Sequence, residues 1–163
     1  MSIVVRCAEL EELQGLSALC LRSKAVWGYD RPFLEACREE LLFWPQDLQS
    51  TGIAVAETDS GVVGVVQVKV VNAEADLMKL FVEPTQMRSG VGRVLMNWAV
   101  ERARSLGAIR MFIEADPDAA QFYRNNGAHD VGVVASGSIP GRMLPKLVID
   151  LASCSPTERR GVQ

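Results

Sequence analysis

Two glycines, Gly90 and Gly92, stand where a short apolar run gives way to a stretch of helical periodicity. At such a junction glycines let backbone N–H groups approach a bulky anion at the positive end of a helix dipole. The spacing predicts a pyrophosphate cradle built from the main chain of Met87, Arg88, Ser89, Gly90, Val91, Gly92 and Arg93. The guanidinium groups of Arg88 and Arg93 can add charge-assisted contacts to phosphate oxygens. Two other phosphate motifs fail on named residues. The dinucleotide fingerprint needs a third glycine at the position of Leu95, and the nucleoside-triphosphate loop needs Lys and Ser/Thr where Arg93 and Val94 stand. Other reactive side chains are sparse. Cys7, Cys20, Cys37 and Cys154 are scattered singly without metal spacing, and His129 is the only histidine. The first three cysteines read as buried thiols, Cys154 as an exposed thiol in a polar tail, and His129 as a loop or strand-edge residue. Neither a metal site nor a Cys–His nucleophile is expected.

These groups need a scaffold. Residues 77–82 suit a buried strand, stopped by Glu83 and Pro84. Val91, Val94, Leu95, Trp98 and Leu106 then recur at helical spacing, and Gly107 closes the helix. Upstream, residues 3–7 read as a strand and 9–25 as a helix. Trp27, Gly28, Tyr29 and Asp30 break that helix, and a second one is expected over 31–43, with Pro32 in its first turn. A strand over 52–57, a hairpin turn over 58–61 and an almost pure valine strand over 62–71 follow. The valine strand is expected to be central and buried on both faces. Residues 72–75 turn the chain into the strand over 77–82. Downstream come a strand over 110–114, a short helix over 119–126, a strand over 130–135, a Gly/Ser/Pro loop and a last strand over 146–151. Residues 1–152 are expected to form one domain and 153–163 a frayed polar tail.

The chain has 163 residues, of which 48% are hydrophobic and 23% charged, in the range of an ordinary globular domain. Its formal net charge is −3. A nucleic-acid binder carries a basic face, so nucleic acid is not an expected partner. No apolar run approaches the eighteen residues of a membrane span, and the N-terminus does not read as a signal peptide. The expected location is the cytoplasm.

The strand, Pro84 and the Gly90/Gly92 turn resemble motif A of the GNAT superfamily, the acetyl-CoA-dependent N-acyltransferases. That motif reads Gln/Arg-x-x-Gly-x-Gly/Ala at the mouth of a helix, and Met87 stands where Gln or Arg is usual. A second stretch, residues 116–128, resembles motif B of the same family, Asn-x-x-Ala-x-x-Leu/Phe-Tyr-x-x-x-Gly-Phe. Ala119, Phe122, Tyr123 and Gly127 fall in register, while Asp116 replaces the Asn and Ala128 the Phe. The resemblance implies an α/β fold with a twisted mixed sheet of about seven strands, splayed open at its middle, with helices on both faces.

It also implies a chemistry, in which an amine attacks the thioester of acetyl-CoA directly in a ternary complex. The developing oxyanion needs preorganised donors. In the family these come from the main chain of the splayed strand, here Leu80, Phe81 and Val82. The departing thiolate needs a proton, and Tyr123 matches the family position that supplies it, its ordinary pKa of about 10 lying above that of a thiol. Asp116, Ala119 and Phe122 are expected to border the coenzyme. A base must take a proton from the amine. Glu83 is the first expectation, with Glu114 and Asp76 also at strand ends. Trp27 and Tyr29 are expected to frame the acceptor by cation–π contact or to anchor their loop. Arg142, with Ser136 and Ser138, is expected either to grip a carboxylate of the acceptor or to pair with a nearby acidic residue. The acceptor is read as a small-molecule primary amine. The alternatives are a protein or peptide amine, or a GNAT-fold module that binds acyl-CoA without turnover. A homodimer is expected from the family and from the apolar last strands.

Overall fold

Six consecutive buried residues, 63–68, make the valine-rich strand the centre of the molecule, covered on both faces as its sequence predicts. The computed structural model describes residues 2–152. In chain order it comprises β1 (Val4–Cys7), α1 (Leu13–Ala25), α2 (Arg31–Cys37), the single turn α3 (Asp47–Ser50), β2 (Gly52–Thr58), β3 (Gly61–Val71) and β4 (Glu74–Val82). There follow α4 (Val91–Ser105), β5 (Arg110–Glu114), α5 (Ala120–Asn125), β6 (His129–Ala135) and β7 (Met143–Asp150). The strands form one seven-stranded sheet in the order β1-β2-β3-β4-β5-β7-β6. Every neighbouring pair is antiparallel except β4 and β5, which are parallel and joined through α4.

Each face carries its own core. Val91, Leu95, Met96, Ala99 and Ala103 of α4 pack on one face with Ala54, Val66, Val68, Leu77, Met111 and Ile113. Leu13, Leu16, Leu19 and Cys20 of α1, with Cys37, Leu41 and Phe43, cover the other face over Ile53, Val55 and Val65. Gly64 sets the height of α4 over the sheet. A Cβ there would lie 2.8 Å from Leu95 Cδ1 and 2.9 Å from Val91 Cγ1, so the first turns of α4 rest directly on the β3 backbone.

Several boundaries differ from the sequence expectation. Helix α2 is capped by Asp30, whose side chain accepts from Phe33 N–H, but it stops at Cys37 rather than running to residue 43. A 3-10 turn, Glu39–Leu41, follows, and Leu42 is extended. Burial of Leu41 and Phe43, with Phe43 N–H donating to Ser17 Oγ at 2.9 Å, holds the chain in that form against α1. The turn α3 was not expected. Strand β4 begins at Glu74, because Asn72 adopts a left-handed conformation (φ 56°) and closes the β3–β4 turn early. Strand β7 begins at Met143, three residues before its expected start. Leu106 lies beyond the end of α4 and is exposed; Met96, Ala99 and Ala103 complete the buried stripe in its place. Of the four cysteines, Cys20 and Cys37 are buried as expected, whereas Cys7 is exposed. Cys154 and the expected tail over 153–163 lie outside the described residues.

The feature that matters most for function is a bulge. Gln67 pairs with Lys79 but Val68 pairs with Leu77, so Met78 is the extra residue on β4. A bulge bends a strand and increases its twist. Pairing between β4 and β5 covers only Glu74 to Leu77 against Arg110 to Ile113, ending where the bulge begins. Past that point β4 continues beside β3 alone, and the sheet opens into a cleft. The bulge also swaps faces. Leu77 packs with the α4 core, but Phe81, an even number of residues further on, packs with the α1 core.

Candidate active site

The split leaves main-chain groups of β4 without a strand partner. Glu83 N–H donates to Val63 C=O at 2.8 Å, and the register then makes 65/81 and 67/79 the bonded pairs between β3 and β4. The alternate residues, Leu80 and Val82, turn their N–H and C=O to the opposite edge, which β5 has left. They face a cavity of about 850 Å³ between the separated strands. Of the stretch Leu80, Phe81, Val82 expected to donate, the geometry leaves Leu80 and Val82 free and commits the backbone of Phe81 to β3.

Helix α4 brings its N-terminus to the same cavity. Gly90 is the N-cap at φ 93°, and Arg88 is also left-handed at φ 64°. The first intrahelical bond is donated by Val94 to Gly90 C=O, so the N–H groups of Val91, Gly92 and Arg93 have no partner within the helix. Met87, Arg88, Gly90, Gly92 and Arg93 line the cavity. Val91 contributes only its N–H, since its side chain is wholly buried, and the Ser89 hydroxyl donates to Gln86 C=O outside the cavity wall. The structure adds a reason for Gly92 that the sequence does not show. A Cβ there would lie 3.2 Å from Phe122 Cζ, so Phe122 of α5 packs against the mouth of α4.

Tyr123 and Ala119, from α5 and its N-cap, also line the cavity. The Tyr123 side chain is buried against the cavity. Burial first, and then the nearby Asp116 carboxylate, push its pKa up, which keeps the phenol protonated at neutral pH.

Asp116 is the hub of a charged cluster. Its carboxylate accepts the Tyr29 hydroxyl at 2.8 Å and Asp118 N–H at 3.0 Å. Lys24 Nζ lies 3.6 Å and Arg142 Nη2 3.4 Å from its Oδ2. Arg142 also donates to Tyr29 Oη at 2.7 Å, and Tyr29 stacks on Phe33 with centroids 4.0 Å apart. Burial pushes the Asp116 carboxyl up, but the Tyr29 hydroxyl, the Asp118 N–H, Lys24 and Arg142 outweigh it and hold it below its ordinary value. Burial, and then the Asp116 carboxylate, push the Tyr29 phenol up against the opposing influence of Arg142.

The structure bears on several sequence expectations here. Asp116 lines the cavity, but its carboxylate ties the loop after α1 to the loop after β5 rather than standing free for a coenzyme. Arg142 pairs with Asp116 and Tyr29 through Nη2, which is the acidic pairing expected as the alternative to gripping a carboxylate, and Ser136 Oγ accepts the N–H groups of Ser138 and Ile139 in its own loop. Tyr29 is a member of this cluster rather than of the cavity wall, whereas Trp27 does line the cavity and is partly exposed. Glu83 lies outside the cavity wall, and Arg22 holds it through two contacts of 2.8 Å, which argues against a role as base. Asp76 and Glu114 do line the cavity, along with Glu40 and Asp118.

Sequence reasoning missed Lys79. It sits within an apolar strand, is only 9% exposed, and lines the cavity on the α1 face. Its ammonium donates to Gln67 Oε1 at 3.0 Å and lies 4.7 Å from the Phe43 ring. A lysine inside an otherwise apolar strand was the available signal. Lys24 was missed as well, and its only hint was a position at the end of α1. Among the described residues no group of three or more His, Cys, Asp and Glu could hold a metal ion. No helix among them is long and apolar enough to cross a membrane.

A family model described as an acetyltransferase (GNAT) domain matches residues 49–127, from just before β2 to the end of α5. No curated protein matches the sequence. Among solved structures, the PaiA N-acetyltransferase from Thermoplasma acidophilum, in complex with coenzyme A, is similar at a TM-score of 0.75 and 18% identity, covering 92% of this chain and 99% of that one. The ribosomal-protein-S18-alanine N-acetyltransferase from Escherichia coli reaches a TM-score of 0.70 at 14% identity, covering 95% and 97%. Nourseothricin acetyltransferase reaches 0.70 at 20% identity, covering 93% and 99%. One of those names is that of an enzyme acting on a protein and another that of an enzyme acting on a small molecule, so likeness of fold does not choose the acceptor.

Proposed function

We propose that this chain, which belongs to the GNAT superfamily and carries its acetyltransferase domain, transfers the acetyl group of acetyl-CoA to a primary amine of a small molecule. The observation that carries the reading is the split between β4 and β5. It presents free main-chain groups of Leu80 and Val82 on the same cavity as the N-terminus of α4 and the Tyr123 hydroxyl. The unpaired N–H groups of Val91, Gly92 and Arg93, with the guanidinium groups of Arg88 and Arg93, suit a pyrophosphate. A main-chain N–H of Leu80 or Val82 stabilises the thioester oxygen as it gains negative charge, with no reorganisation needed when the amine attacks. Tyr123 donates its proton to the departing sulfur. The acceptor's ammonium first gives up a proton toward the cavity carboxylates Glu40, Asp76, Glu114 and Asp118, and the free amine then attacks.

Two measurements test this. Coenzyme A is expected to raise the melting temperature through binding linkage, corresponding to about 2.7 kcal/mol at a hundredfold excess over Kd. The double charge reversal Arg88→Glu with Arg93→Glu should remove that shift. Gly92→Asp is the less informative variant, because its Cβ meets Phe122 whether or not a phosphate binds. Tyr123→Phe should lower kcat by about a hundredfold, the lower end of general-acid effects, while KM for acetyl-CoA moves little. Binding of coenzyme A without release of thiol in the presence of any amine would identify an acyl-CoA-binding module instead. We further place the protein in the cytoplasm as a homodimer joined at the edge strand β6, whose Val131 and Val133 are exposed. Sedimentation as a monomer at micromolar concentration would remove the dimer.

A further inference from the structure

Lys79 stands apart from every other buried charge in the cavity. Its side chain comes off β4 one residue before Leu80, on the face covered by α1, and is about nine-tenths buried. Among the described residues no carboxylate comes within 4.0 Å of its Nζ; the nearest that bear on it, Glu40 and Asp47, act only at longer range. A relay fixes its position instead. Lys79 donates to Gln67 Oε1 at 3.0 Å, Gln67 Nε2 donates to Thr51 Oγ1 at 3.1 Å, and Thr51 donates to Asp47 C=O at 2.6 Å. Gln67 is wholly buried. An ammonium has three donors, and one is used. Lys79 lines the same cavity as Leu41, Phe81 and Ser138.

Desolvating a lysine without an anion is costly, and the protein has built a fixed amide and an aromatic face around this one rather than a carboxylate. Arg142 and Lys24 show the alternative, since both are matched by Asp116. Resting on the acetyl-transfer reading above, we propose that Lys79 is the specificity residue for the acceptor, and that the acceptor is an amine bearing a carboxylate a few bonds from its nitrogen. Leu80 and Lys79 are neighbours on β4 and line the same cavity, so an acceptor that reaches both presents its amine and its carboxylate within one small molecule, as an amino acid does. The incoming anion supplies the missing partner, and the ammonium, already held by Gln67, loses little freedom on binding it. Burial, the largest influence on the amine, lowers the pKa of Lys79 in the free protein; a bound carboxylate reverses that pressure.

The test is thiol release from acetyl-CoA with amino acids as free acids, set beside the methyl esters of the same amino acids. For at least one side chain, kcat/KM for the acid should exceed that for the ester by roughly 10- to 100-fold, the worth of a charge-assisted contact. In Lys79→Met that ratio should fall to about one, chiefly through KM for the acceptor, and in Lys79→Arg it should be partly retained. Esters used as well as acids by the unaltered protein overturn the proposal while leaving acetyl transfer intact, and this outcome does not depend on how well any variant folds. No turnover of any amine, with coenzyme A still bound, removes acetyl transfer and this proposal together.

Discussion

The two sides of the split sheet recognise charge by opposite means. On the α4 side the candidate donors are main chain: Leu80 and Val82 at the open strand edge, and Val91, Gly92 and Arg93 at the helix mouth. On the α1 side they are side chains, and these divide again. Asp116 gathers Tyr29, Arg142 and Lys24 into a matched cluster, while Lys79 stays buried without an anion. A main-chain site depends on the height and direction of one helix and one strand. A side-chain site depends on residues converging from five separate places in the chain. The first should break when packing under the helix is disturbed, and the second when a single charge is removed.

The largest expected effect follows from Gly64. In Gly64→Val, atoms at 2.8 and 2.9 Å from the new Cβ must move, and both belong to the first two turns of α4. Overpacking of this kind costs about 1–3 kcal/mol, and valine adds two further methyl groups. Denaturant unfolding should show that loss. Calorimetry should also show coenzyme A affinity falling at temperatures where the variant remains folded, because the helix mouth is displaced. Full affinity in a destabilised variant would mean that the main-chain site does not depend on the seating of α4.

The next effect belongs to the matched cluster. Asp116→Ala leaves Arg142 and Lys24 close together without their shared anion, and leaves the Tyr29 hydroxyl without its acceptor. The expected loss is about 1–3 kcal/mol, less than for a fully buried pair because the cluster retains some solvent contact. The pH dependence carries a signature. Since the folded carboxyl titrates below its ordinary 3.8, its contribution is complete above that value and drains away as the pH falls toward the lower folded value. Asp116→Ala should flatten that acid limb, and an unchanged acid limb would show that the carboxylate gains nothing from its neighbours.

This division also explains what could be read in advance. The glycine spacing at 90 and 92, the valine run and the Ala119/Phe122/Tyr123 register are local patterns, and they located the strands, α4 and the cavity. The bulge at Met78 is not local. It reverses the face of the strand after Leu77, so period-two reasoning along 77–82 could not place Lys79 against the α1 core. The partners of Asp116 lie 87 and 26 residues away in sequence, and the Arg22 that removes Glu83 from the site is 61 residues distant. Pairings at such separations are set by tertiary packing alone. Helix α2 failed for the same reason, because burial of Leu41 and Phe43 ended it where propensity would have carried it on.

The smallest effect on stability is expected at Lys79, and its smallness is the point of the contrast with Asp116. Lys79→Met removes a buried ammonium that lacks an anion, which favours the folded state. It also strips Gln67 Oε1 of its donor in a wholly buried position, which costs about 1–3 kcal/mol. The two changes oppose each other, and the net shift in unfolding free energy should stay within about 1 kcal/mol. Adding Gln67→Met removes the orphaned oxygen, so the double variant should be more stable than the single one, with Thr51 still donating to Asp47 C=O. The two sites are therefore distinguishable by equilibrium unfolding without any substrate: truncating the matched charge should destabilise the protein, and truncating the unmatched one should not. If Lys79→Met instead unfolds as readily as Asp116→Ala and the second substitution restores nothing, the ammonium is a structural member of the core. Its charge would then serve folding, and acceptor recognition would have to be sought among the exposed carboxylates that line the cavity.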